Sequence, residues 1–147
     1  MELLRPILAR VNELSFEACS KSRSGWSGNG QGQVEVEETP EALIFRESGT
    51  WQSPQGRHFP FHNVYRWTFD AEGASLEHLR FGADKPVFLF KLVPRGLRFW
   101  SSDCGHQCSL DLYTATLKIH DDHLALDWKV AGPEMDEDIR YIYRTRE

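Results

Sequence analysis

No stretch of this 147-residue chain approaches the roughly 18 consecutive apolar residues that a membrane-crossing helix requires, so no such helix is expected. The segment Met1–Leu14 also lacks the pattern of an export leader, because Glu2, Arg5 and Arg10 interrupt its apolar residues. Cysteine is scarce. The three thiols, Cys19, Cys104 and Cys108, form an odd set that reads as reduced, which fits a cytoplasmic protein. A surplus of positive charge is missing too: the formal net charge is −5 and the pI about 5.7. Lys and Arg are spread singly, whereas a nucleic-acid binder gathers them on one face. Neither nucleic acid nor a membrane is therefore an expected partner.

Catalytic signatures are equally absent. The chain has no nucleophile elbow, phosphate-binding loop or metalloprotease helix, and no carboxylate pair in a recognisable acid–base setting. The sharpest local cluster is Cys104-Gly105-His106-Gln107-Cys108. Thiolates and imidazole could hold zinc there, but a structural zinc site needs a second ligand pair, and only Cys19 is left over. No metal, no cofactor and no Cys104–Cys108 disulfide are expected. His120-Asp121-Asp122-His123 lies between two apolar runs and reads as turn chemistry.

What the chain has in quantity is aromatic residues, with five Trp and nine Phe, arranged in short strand-like runs. Gln33–Glu38 alternates Val with Glu, and Thr39-Pro40-Glu41 turns into a run over Ala42–Trp51. The runs Phe61–Asp70, Ser75–Phe81, Val87–Val93, Leu110–Ile119, Leu124–Val130 and Ile139–Thr145 follow. Ser15–Ser22 is a further candidate strand, whereas Gly25–Gln33 and Ser53–Pro60 have loop composition. Leu4, Ile7, Leu8, Val11 and Leu14 recur at helical spacing, which predicts a short amphipathic helix over Arg5–Leu14. Short connections in sequence order favour one up-and-down antiparallel barrel of roughly eight to ten strands, with that helix across one end. No composition shift or linker divides residues 1–147, so one domain is expected.

Strand faces locate the candidate site. In Leu124–Val130, residues Leu124, Leu126, Trp128 and Val130 share the core face. Elsewhere the assignment is open, because Arg66, His78, Arg80, Asp111, Tyr113 and Arg144 sit in runs whose two faces are both plausible interiors. Turned inward, they could grip an anionic or hydrogen-bonding ligand, with Asp111 as counter-charge to an arginine. Turned outward, they are cross-strand ion pairs of little energetic consequence.

An ordered set of short motifs carries a resemblance. It runs through Val64-Tyr65-Arg66-Trp67, His78-Leu79-Arg80-Phe81-Gly82, Pro86-Val87-Phe88-Leu89-Phe90, His106-Gln107-Cys108 with Asp111-Leu112-Tyr113, Trp128 with Gly132-Pro133, and Tyr143-Arg144. Together with Phe45-Arg46-Glu47-Ser48-Gly49 upstream, this set resembles a family of uncharacterised small domains with a calycin-like barrel. The segment Glu134-Met135-Asp136-Glu137 departs from that family's basic residue and Asp-Tyr, and Ser24-Gly25-Trp26 does not reproduce a clean Gly-x-Trp start. The resemblance implies the fold and a functional or architectural role for His78, Arg80, His106, Asp111, Tyr113 and Arg144.

The expected function is binding of a small, anionic or polar molecule inside the barrel by Arg66, His78, Arg80, His106, Asp111, Tyr113 and Arg144. Two rivals stay open. One is an enzyme using His78, His106 or Tyr113 as acid–base group in the same cavity. The other is a filled barrel that works as a protein-interaction module. An open interior separates the first two from the third.

Overall fold

In the computed structural model the described residues are 4–21, 27–102, 106–108, 111–132 and 136–146, with backbone alone for 106–108, 111 and 112. The chain starts with a helix, α1 (Leu4–Leu8), and continues through β1 (Val11–Ser20), β2 (Gly28–Glu38), β3 (Ala42–Gln52) and β4 (His58–Phe69). Then come β5 (Ala74–His78), β6 (Val87–Gly96), β7 (Phe99–Ser102), β8 (His106–Cys108), β9 (Asp111–Ile119), β10 (His123–Ala131) and β11 (Asp136–Thr145). Every pairing between strands is antiparallel, each strand pairs with its sequence neighbours except that β7 passes over β8 to pair with β9, and β11 returns to β1. The result is the expected up-and-down barrel, closed without a free edge along its main circuit.

The circuit contains ten strands because β7 and β8 share one place. Phe99–Ser101 pairs with Thr116–Lys118 of β9, and His106–Cys108 pairs with Asp111–Tyr113 farther along β9, whose other edge is taken by β10. β7 and β8 are thus two halves of one wall strand. Among the described residues, no helix is long and apolar enough to cross a membrane.

The barrel's two ends differ. The turns β2–β3, β4–β5, β6–β7 and β9–β10 gather at one end, where α1 also lies. Leu4 and Leu8 of the helix join a buried cluster that includes Leu43, Trp67, Phe90, Leu92, Leu117 and Leu124. Arg5 fixes the helix to the rim by donating to the Thr39 carbonyl at 2.6 Å and lying over the Phe69 ring. This end is plugged. The helix is shorter than the expected Arg5–Leu14, because residues from Val11 onward enter β1. A register shift between Val11 and Glu13 spaces the buried residues Val11 and Leu14 three apart, which imitates a helical repeat.

The outer wall carries charge in matched pairs. Arg66 sits opposite Glu77, Asp127 opposite Arg140, and Lys129 opposite Asp138, with N···O separations of 2.8, 2.8 and 3.3 Å. Such pairs contribute little energy but favour the correct register.

Strand β2 was expected to be a loop as far as Gln33. Its glycines instead pave a wall too close for side chains. Gly32 faces Gly49 on β3, and a Cβ at Gly32 would come within 2.1 Å of the Ser48 carbonyl oxygen. A Cβ at Gly30 would meet the Phe16 ring at 2.5 Å. Phe16 therefore spreads over a patch of bare backbone. Substituting Gly32→Ala must push two paired strands apart, and should cost about 1–3 kcal/mol, the usual penalty for overpacking. A shift of the urea midpoint to lower concentration, at unchanged slope, checks this.

Candidate functional site

At the end opposite α1, alternate residues of the wall line a cavity of about 610 Å³ that opens at the barrel's mouth. Its sides are aromatic. Phe16 meets Phe61 edge-on at 5.3 Å and stacks with Tyr141 at 5.5 Å, while Tyr113 stacks with Trp128 at 6.4 Å. Val87, Leu89, Val130 and Ile139 supply the aliphatic part. These side chains come from β1, β4, β6, β9, β10 and β11, so closure of the sheet alone brings them together. A wider hollow of about 1090 Å³ lies on the wall near Glu17, Ser101, Thr116, Asp127 and Arg140. Most of its lining is outward-facing and Arg140 is already paired to Asp127, so the cavity within the barrel is the better candidate.

His78, Arg80, Asn63 and Glu137 provide polar groups to the same cavity. His78 is the last residue of β5 and lies flat against Tyr65, with ring centroids 4.6 Å apart. Burial lowers the imidazole's pKa, and the neighbouring Arg80 cation lowers it further, so His78 is neutral at pH 7. Arg80 lies just beyond the strand, exposed, with its guanidinium over the Phe81 ring at 4.8 Å. Partial burial raises the Glu137 carboxyl, against a hydrogen bond from Ser20.

Beneath the aromatic walls lies a polar group that sequence reasoning did not single out. Glu47 is fully buried, the one buried charged-type side chain among the described residues. Its Oε2 accepts a hydrogen bond of 2.5 Å from the Tyr143 hydroxyl. Oε1 is buried without a partner of good geometry, although the Tyr141 hydroxyl comes near enough to influence the carboxyl. Burial pushes the Glu47 pKa up to about 8, against the hydrogen bonds from Tyr143 and Tyr141, so the group is a neutral carboxylic acid at pH 7. Burial and the nearby carboxyl raise the phenols of Tyr65, Tyr141 and Tyr143, which stay protonated. Tyr65 and Tyr141 line the cavity, and Glu47 and Tyr143 stand behind them.

The expected site residues separate into three groups. His78, Arg80 and Tyr113 line the cavity. Arg66 and Arg144 do not, which corrects the expectation of an inward set: Arg66 is paired to Glu77 on the outer wall, and Arg144 is exposed opposite Glu13 and His123. The reason is parity, since Tyr65, Trp67 and Tyr143 take the inner positions beside them. His106 and Asp111 are placed by backbone only. His106 is in register with Tyr113 and Asp111 with Cys108, and the expected pairing of Asp111 with Arg80 or Arg144 lies outside the described side chains. The Cys104–Cys108 question also lies outside them, while Cys19 is a free, exposed thiol. The residues missed are Glu47 and its tyrosines. The available signal was that Leu43, Phe45 and Glu47 lie two apart on one strand face.

The buried acid gives stability a pH dependence of defined sign. A carboxyl raised from 4.5 to about 8 by folding contributes fully below about pH 4.5, loses its contribution as pH rises, and levels off above about 8. Relative to Glu47→Gln, the wild-type protein should therefore lose up to a few kcal/mol between pH 5 and pH 8. Urea midpoints of both proteins across that range check it. Parallel curves would contradict the burial of an ionisable acid.

A family model described as a family of unknown function (DUF6314) matches residues 14–145. No curated protein matches the chain. Among solved structures, a de novo designed fluorescence-activating β-barrel is similar, at 15% identity and a TM-score of 0.48, over 97% of this chain and 100% of the designed one. With nearly all of the barrel inside the matched region, the chain belongs to this family of unknown function.

Proposed function

We propose that the barrel binds a small molecule in the cavity opposite the helix, in the manner of a calycin. The observation that carries this reading is the cavity of about 610 Å³ within the barrel, with aromatic sides and polar groups at its mouth. That volume suits a ligand of drug or metabolite size, and closed barrels of modest strand number hold one such molecule. The stacked rings favour a flat, largely apolar body. Arg80, which has no anionic partner among the described hydrogen bonds and ion pairs, favours a negative or strongly accepting group at the mouth. Neutral His78 beside it adds one donor and one acceptor.

The test is a titration with 8-anilinonaphthalene-1-sulfonate, an aromatic body carrying one anion, followed by dye emission and tryptophan quenching. The folded wild-type protein should bind about one equivalent saturably. Val87→Trp should fill the cavity and abolish binding while circular dichroism stays unchanged. Arg80→Gln should weaken it about fivefold, the upper end of what an exposed ion pair contributes. A folded protein with no saturable binding, or Val87→Trp binding as well as wild type, would overturn the reading.

A further inference from the structure

The cavity has a polar floor as well as a polar mouth, and the floor is costly to maintain. A buried carboxyl is unfavourable where an apolar residue would pack without loss. Nothing in the architecture requires it, since Leu43 and Phe45 continue the same face of β3 as core residues. Three tyrosines from two distant strands, β4 and β11, converge on that carboxyl, and two of them also line the cavity.

We propose that Tyr141 and Tyr65, backed by Glu47, form a hydrogen-bond-donating subsite that receives an acceptor oxygen, such as a carbonyl or phenolate, at the inner end of the cavity's ligand. This rests on the cavity being a ligand site and adds what the ligand's inner end must be. The proton inventory sets the polarity. Glu47 Oε2 accepts from Tyr143, and a neutral carboxyl carries its own proton. With that proton on Oε1 it can donate to the Tyr141 oxygen, the Tyr141 O–H donates in turn to the neighbouring Tyr65 oxygen, and the Tyr65 O–H is left to donate into the cavity. Each bond in such a chain polarises the next, so the last donor is stronger than an isolated phenol. A ligand ending in a methyl group would leave these donors unsatisfied. Glu47 is a positioning residue here, and the tyrosine hydroxyls make the contact.

The experiment compares two probes of nearly equal shape, 6-acetylnaphthalene-2-sulfonate and 6-ethylnaphthalene-2-sulfonate, by calorimetry and tryptophan quenching. Both offer an anion to the mouth, and only the first offers a carbonyl to the floor. Wild type should bind the acetyl probe about tenfold more tightly, the worth of one buried hydrogen bond left unmade. Tyr65→Phe keeps the ring that lines the wall and should bring the two affinities together, with the ethyl probe unchanged. Glu47→Gln, which still has a donor, should keep part of the preference. In wild type the preference should shrink as pH rises past about 8, where Glu47 gives up its proton. If both probes bind wild type equally, or if the preference survives in both Tyr141→Phe and Tyr65→Phe, the donor subsite is wrong while the cavity stands. If folded wild type binds neither probe, the cavity reading fails and takes the subsite with it.

Discussion

Closure of the sheet is the constraint on which everything else depends. Once β11 pairs with β1, ten strands share one interior and each delivers every second residue to it. Parity then decides the fate of each side chain, and a charged residue one step out of phase is either solvated or buried. The outer wall shows the first outcome in its matched pairs of Arg66 with Glu77 and Arg140 with Asp127. Glu47 shows the second.

Along the barrel axis the interior changes character. Near α1 it is aliphatic and filled, with Leu8, Leu43, Leu92, Leu117 and Leu124 almost fully excluded from solvent. Toward the other end the strands supply Phe16, Phe61, Tyr65, Tyr113, Trp128 and Tyr141. Rings are rigid and flat, so they line a space without collapsing into it. The Glu47–tyrosine cluster lies between the two regimes and stands on the filled part. It is held by Phe45, whose ring meets Tyr143 edge-on at 5.6 Å. The filled aliphatic core is thus concentrated at one end, and the aromatic and polar lining at the other.

Much of this was legible in the order of residues. The period-two alternation over Leu124–Val130 gave the correct inner face, and the succession of turns pointed to a meander closing on itself. Three things were hidden for identifiable reasons. The bulge near Val11 disguised the start of β1 as helix. The glycine-rich opening of β2 has the composition of a loop, although here glycine serves close approach of backbones. Phe99–Ser102 is too short to show any period. Within the candidate site, local spacing brought out His78, Arg80 and Tyr113 but could not fix the inner face of each strand, so Arg66 and Arg144 were included with them. Glu47 shares its face with Leu43 and Phe45, but its partners lie on β4 and β11. Tyr143 is 96 positions away in sequence, and no local pattern reports such a contact.

The bare stretch of wall at Gly30 sets the breadth of the cavity from behind. Phe16 rests where a side chain at position 30 would stand, so the ring's tilt toward Phe61 and Tyr141 is governed by atoms that are missing from the neighbouring strand. Widening or narrowing the chamber therefore does not need a change in any residue that faces it. A single methyl added at Gly30 would lever the Phe16 ring inward across the chamber. Relatives that differ at this one small residue would then enclose chambers of different breadth while keeping every lining side chain the same.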